Sequence, residues 1–218
     1  MTSKNNLQAI IFDLEGVVVD SEKHWDTCAV IFLGRHGFKY QREPHKPLLM
    51  GKTLEEGVLI WKKEIGLKGS TKKLAQERRD IIRELYFDTN FTPGFMDLFK
   101  IVSKKYRVGI GTSIERPFLK IIDDKLGITK LFDDHVYSIE DIGFISKPKP
   151  DIFLHVAEKL KVKPKDCVVF EDSPNGVEAA KRAGMVCIAI TTTTDPKKLT
   201  KADLIIDSFQ DSKLKGFI

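Results

Sequence analysis

The 218-residue chain is 42% hydrophobic and 31% charged, the profile of a folded globular protein, which excludes disordered and fibrous classes. Its formal net charge of +5, from 36 basic and 31 acidic residues, is too mild and too evenly spread to mark a nucleic-acid surface. The short apolar run near the N-terminus carries Asp13 and Glu15 and so fits neither a signal peptide nor a membrane span. Cys28, Cys167 and Cys187 form no C-x-x-C pair, and a reducing, cytoplasmic setting is expected.

From Leu7 to Phe12 the residues are apolar without alternation, which predicts a central strand covered on both faces. It ends in Asp13-Leu14-Glu15-Gly16. In an open parallel sheet the ligand crevice lies outside the carboxyl ends of the strands, so Asp13 is placed to meet substrate. Helical spacing follows: Ser21 caps a segment in which Trp25, Ala29, Phe32 and Leu33 share a face, closing near Gly34 or Gly37. Lys39 to Gly51, with Pro44 and Pro47, reads as a linker. Helices are expected again through Leu54, Val58, Trp61 and Ile65, and from Thr71 to about Phe87.

After Thr92-Pro93-Gly94, strands and helices alternate. Strands are predicted at Arg107 to Gly111, near His135 to Tyr137, and at Cys167 to Phe170, Val186 to Ile190 and Leu204 to Ile206. Helices are predicted at Phe95 to Lys104, from Pro117 to Leu126 with Gly127 to close it, and at Asp151 to Leu160 and Pro174 to Ala183. This order implies an α/β fold, a Rossmann-like doubly wound parallel sheet with an inserted all-helical domain. The expected division is a discontinuous core of residues 1–16 and 92–218 and a helical insert of residues 17–91. Thr191 to Thr194, the only low-complexity run, reads as a loop after a strand.

Four strand ends or their loops carry polar groups suited to a phosphate and a divalent cation: Asp13 with Glu15, Thr112 with Ser113, Lys147, and Glu171 with Asp172. Each alone is a common feature of loops and helix starts, and their joint occurrence in order is what makes them informative. The chain here resembles the haloacid-dehalogenase superfamily, in its β-phosphoglucomutase-like branch with a helical cap. The resemblance rests on Asp13-Leu14-Glu15-Gly16-Val17, Gly111-Thr112-Ser113, Ser146-Lys147-Pro148-Lys149-Pro150-Asp151 and Glu171-Asp172-Ser173-Pro174-Asn175-Gly176.

That resemblance implies a Mg2+-dependent phosphatase acting on a small phosphorylated metabolite, with a cap that closes over the site. Asp13 would be the nucleophile and Glu15 the general acid and base. Lys147 would be catalytic and, with Thr112 and Ser113, would bind phosphate. The implied metal set is Asp13, Glu15 through its main-chain carbonyl, Asp172 and, near the second shell, Glu171. Lys149 is expected to face solvent. Most relatives carry aspartate where this chain has Glu15, and the added methylene shifts the carboxyl by on the order of 1 Å, enough to cost about a hundredfold in rate unless the pocket compensates.

Two alternatives stay open. Related mutases carry a histidine where this chain has Trp25, and tend to have an arginine shortly before the cap glycine, where it reads Pro47-Leu48-Leu49-Met50; both absences lean towards hydrolysis. A catalytically weakened binder of a phosphometabolite or protein is the other, motivated by Glu15. Gly51 is a candidate for lining the active-site entrance. Gly51-Lys52-Thr53 is rejected as a P-loop, because Lys46 stands where the first glycine is needed and no strand precedes it. His24 and Cys28, one helical turn apart, are expected to pack and not to share a metal. Nothing in the sequence marks a membrane, nucleic-acid or protein partner.

Overall fold

The computed structural model describes residues 6–49 and 52–218, and its contacts divide the chain into two units, Met1–Asp20 with Asn90–Ile218, and Ser21–Thr89. In the first unit six strands form one parallel sheet: β1 (Ala9–Phe12), β2 (Arg107–Gly111), β3 (Val136–Tyr137), β4 (Cys167–Glu171), β5 (Val186–Ile190) and β6 (Leu204–Ile206). Their order is β3-β2-β1-β4-β5-β6, which puts β1 at the centre and the reversal of winding beside it. All four residues of β1 are buried, the reason its run lacks alternation.

The two sides of β1 face different cores. Ala9 and Ile11 join Val169, Cys187 and Ala189 in a cluster completed by Phe153 and Val156 of the helix Asp151–Lys159 and by Val177 and Ala180 of the helix Pro174–Arg182. On the opposite side, Phe12 stacks on Phe170 at 5.1 Å and meets Phe95 and Phe132 edge-on at 5.5 and 5.9 Å. Burying one such side chain contributes about 1.5–3 kcal/mol, and this aromatic set anchors the strand whose last residue precedes Asp13.

The second unit is helical: α1 (Glu22–Arg35), α2 (Arg42–Leu49), α3 (Leu54–Glu64) and α4 (Thr71–Tyr86). Its core stacks Phe32 on Trp61 at 5.4 Å, with the Arg78 guanidinium 4.5 Å from the Trp61 ring centre. The expected linker is a helix instead. Glu43, ahead of Pro44, takes extended angles (φ −100°, ψ 126°), as a residue before proline should, and the helical turns follow it. Pro44 and Pro47 then fall within the first four positions of those turns, where an N–H has no intrahelical partner. Lys46 ties α2 to α1 through Glu22 at 2.6 Å and Asp26 at 3.1 Å.

Residues 17–20 belong to the first unit, although the sequence reading ends its core segment at residue 16. Val17, Val18 and Val19 are fully buried, Val19 bridges Phe91, and the Asp20 N–H donates to the Asn90 carbonyl at 2.9 Å. A polar turn at Glu15-Gly16 looks like the end of an element, yet the chain curls there and returns. Trp25 is half-buried, and His24 and Cys28 take the buried places on α1. Cys28 Sγ contacts the Arg78 carbonyl at 3.7 Å, which is packing and not metal ligation. Thr53 caps α3 in a reciprocal pair with Glu56, so Lys52-Thr53 is a helix start; the Gly51 reading lies outside the described residues. Among the described residues, no helix is long and apolar enough to cross a membrane.

Candidate active site

Phe12 pairs with Phe170 in β4 and with Ile110 in β2. Asp13 and Glu171 therefore each stand one residue beyond a paired phenylalanine, and Thr112 stands two beyond Ile110, all at the carboxyl edge of the sheet. Register alone brings these three together. Asp13 is held there by its own N–H, which donates to the Phe170 carbonyl at 2.9 Å.

Lys147, on the loop after β3, is buried and donates from Nζ to Asp13 Oδ1 and, at 2.6 Å, to Glu171 Oε1. Its Nζ also lies 4.7 Å from the Phe153 ring centre. The second oxygen of Glu171 accepts from the Asp172 N–H at 2.8 Å and from the N–H and hydroxyl of Ser173 at 2.8 and 2.9 Å. With both of its oxygens engaged, Glu171 is fixed as the anchor of Lys147.

Burial pushes the Asp13 carboxyl up to about 7; Lys147 pulls it down, and the nearby Glu171 and Glu15 carboxylates push it further up. Burial alone would depress the Lys147 ammonium, but Asp13 and Glu171 more than offset this and hold it above the ordinary lysine value. Oxygens of Asp13, Glu171 and Asp172 lie within 4.8 Å of one another. Three buried carboxylates against one ammonium leave the site with an excess of acidic groups, a cost that a bound cation would offset. The donors are all oxygen, which suits a hard divalent cation.

Two glycines make the cluster possible. Gly16 has φ 76°, and a Cβ there would overlap Asp172 and lie 2.8 Å from Thr193 Cγ2. A Cβ at Gly176, in the first turn of the helix after Ser173, would overlap the Glu171 carboxylate. Gly176→Ala should therefore displace Glu171 from its four hydrogen bonds and destabilise the protein by about 1–3 kcal/mol, the range of overpacked cores. Denaturant melts measure this, and an unchanged midpoint and slope would count against the close packing.

Thr112 is buried, and its Oγ1 accepts from the Ile114 N–H at 3.2 Å. Ser113 and Lys149 are exposed, and Glu15 is half-buried beside Asp13. The sequence reading passed over Thr191 to Thr194, dismissing it as a loop. Thr192 Oγ1 donates to the Gly16 carbonyl at 2.6 Å, and Thr193 Oγ1 donates to Asp172 Oδ2. The available signal was position: the run follows β5, whose Ala189 pairs with Glu171, so it starts at the same sheet edge.

A family model for haloacid dehalogenase-like hydrolases matches residues 7–184. The phosphorylated carbohydrates phosphatase of Thermotoga maritima is 32% identical over 207 residues, 91% of this chain and 93% of that protein. Hexitol phosphatase B of Escherichia coli K12 is 28% identical over 225 aligned positions, covering 100% of both chains. The crystal structure of a conserved haloacid dehalogenase-like protein from Agrobacterium tumefaciens matches with a TM-score of 0.82 at 28% identity, covering 97% of this chain and 98% of that one. With that match running from the first strand past the helix that follows Asp172, the chain belongs to the haloacid dehalogenase-like hydrolases.

Proposed function

We propose that the protein is a Mg2+-dependent phosphatase that hydrolyses a small phosphomonoester of the sugar-phosphate class through an aspartyl-phosphate on Asp13. The observation that carries this reading is the buried cluster at the carboxyl edge of β1 and β4, where one lysine bridges two acids and a third acid stands within ligand distance. The names of the Thermotoga and Escherichia relatives, a phosphatase of phosphorylated carbohydrates and a hexitol phosphatase, support the substrate class.

In this reading the Asp13 and Asp172 carboxylates and the Glu15 main-chain carbonyl hold the cation. Bound there, Mg2+ supplies positive charge that offsets the repulsion between a carboxylate nucleophile and a phosphate. An Asp13 oxygen attacks phosphorus, and the bond from phosphorus to the substrate alcohol breaks. The Glu15 carboxyl gives that leaving oxygen its proton. Glu15, now a carboxylate, takes a proton from water as the water oxygen attacks the phosphoryl group, and the bond to Asp13 breaks to release phosphate. Lys147, kept charged by Glu171, holds Asp13 in place and neutralises charge on the transferring group. Thr112 and the amides around Ser113 are assigned to the phosphate oxygens.

The test is phosphate release from a panel of sugar phosphates, nucleotides and an aryl phosphate, with Mg2+ and with a chelator. Release that is fastest on sugar phosphates and stops in chelator is the expected result. No release from folded protein supplied with Mg2+ would overturn the reading, and interconversion of sugar monophosphates without release would point to a mutase.

A further inference from the structure

We propose that Thr193 is a positioning residue for the metal site: its hydroxyl fixes the rotation of the Asp172 carboxylate, while Thr192 beside it pins the main-chain carbonyl of Gly16. The inference rests on the metal-dependent reading above, and extends it to residues that carry no part of the four motifs. Thr192 and Thr193 leave β5 at the edge where Asp13, Glu171 and Asp172 meet, and they brace the turns that follow two separate strands, β1 and β4. Thr192 Oγ1 donates to Gly16 O at 2.6 Å, and Thr193 Oγ1 donates to Asp172 Oδ2.

A threonine hydroxyl has one proton to give. A carboxylate accepts and cannot donate, so the proton of Thr193 lies towards Asp172. Thr194 Oγ1, 3.3 Å from Thr193 Oγ1, then donates into the same chain. Asp172 sits on the turn between β4 and the helix Pro174–Arg182, where a partner from another strand end narrows the choice of side-chain rotamer. The Thr193 hydroxyl supplies one, and its β-branch restricts the torsion that carries that hydroxyl. Gly16 completes the fit, since any side chain there would overlap Asp172 and crowd the Thr193 methyl group. A ligand held in one orientation loses little freedom when a cation arrives, which is why partners of ligating carboxylates are worth about 10–100-fold in metal affinity.

The experiment titrates Mn2+ into the full chain and follows bound metal by electron paramagnetic resonance, with no turnover needed. Thr193→Val replaces the hydroxyl by a methyl group of similar size, Thr193→Ser keeps the hydroxyl, and Thr191→Val removes a hydroxyl that bonds Asp207 instead. The Mn2+ dissociation constant should rise at least about tenfold in T193V, while T193S and T191V stay within about threefold of the parent. All variants should melt together in chelator. Equal Mn2+ affinity in T193V and the parent overturns the proposal. So does an equal loss in T193V and T193S with a lowered metal-free melting temperature, which would mean that the residue only packs. A parent protein that binds no Mn2+ would instead sink the metal-dependent reading itself.

Discussion

Asp13→Asn is expected to lower phosphate release by on the order of 10⁴-fold or more, the scale seen when a covalent nucleophile is removed, while the protein stays folded. The amide keeps the shape of the carboxyl but has no charge with which to attack phosphorus. Folding should survive because Lys147 keeps Glu171 as a partner at 2.6 Å, so the change leaves no ammonium unpaired. The proposed mechanism also predicts where the loss appears. With Asp13 as the attacking group, a burst of phosphorylated protein, visible on rapid acid quench with the parent, should vanish in the variant. A variant that retained even a hundredth of the activity would remove Asp13 from the nucleophile's role and leave the buried cluster as a binding site only.

How much of this site was legible in the sequence depended on whether a residue's position follows from a strand. Asp13, Thr112 and Glu171 did, because an apolar run that stops at a polar residue fixes both the strand and its end, and parallel register then aligns the ends. Lys147 was reachable only through the motif around it; it lies on a loop, and its side chain crosses to β1 and β4. Thr192 and Thr193 were missed because a hydroxyl in a loop is usually a local cap, and nothing in the spacing says which carboxylate it will face. The same limit explains α2. Two prolines argue for a linker until their places in the first turn are known, and the ion pairs from Lys46 to α1 are invisible along the chain. Strand ends are written locally, whereas partners across the fold are written in packing.

Lys147→Ala should destabilise the metal-free protein by about 3–5 kcal/mol, the cost of removing one partner from a buried ion pair. Both acids that it serves are almost wholly buried, at 6% exposure for Asp13 and 1% for Glu171, so each loses a charged partner where solvation is poor. For a domain of this size that corresponds to a fall in melting temperature of about 6–20 °C. Lys147→Met keeps the stem near Phe153 and loses only the charge. It should fall almost as far, which separates the ion pair from packing. Adding Asp13→Asn to Lys147→Met removes one of the stranded carboxylates, so the double variant should be more stable than the sum of the two single effects, with a coupling of about 1–3 kcal/mol. Mg2+ should raise the melting temperature of Lys147→Ala by more than it raises that of the parent, because a bound cation takes over charge that the lysine carried. Scanning calorimetry of the parent, the three single variants and the double variant, with Mg2+ and with chelator, measures all of this. A Lys147→Ala protein melting within 2 °C of the parent in chelator would mean that the bridge between Asp13 and Glu171 contributes little to the fold.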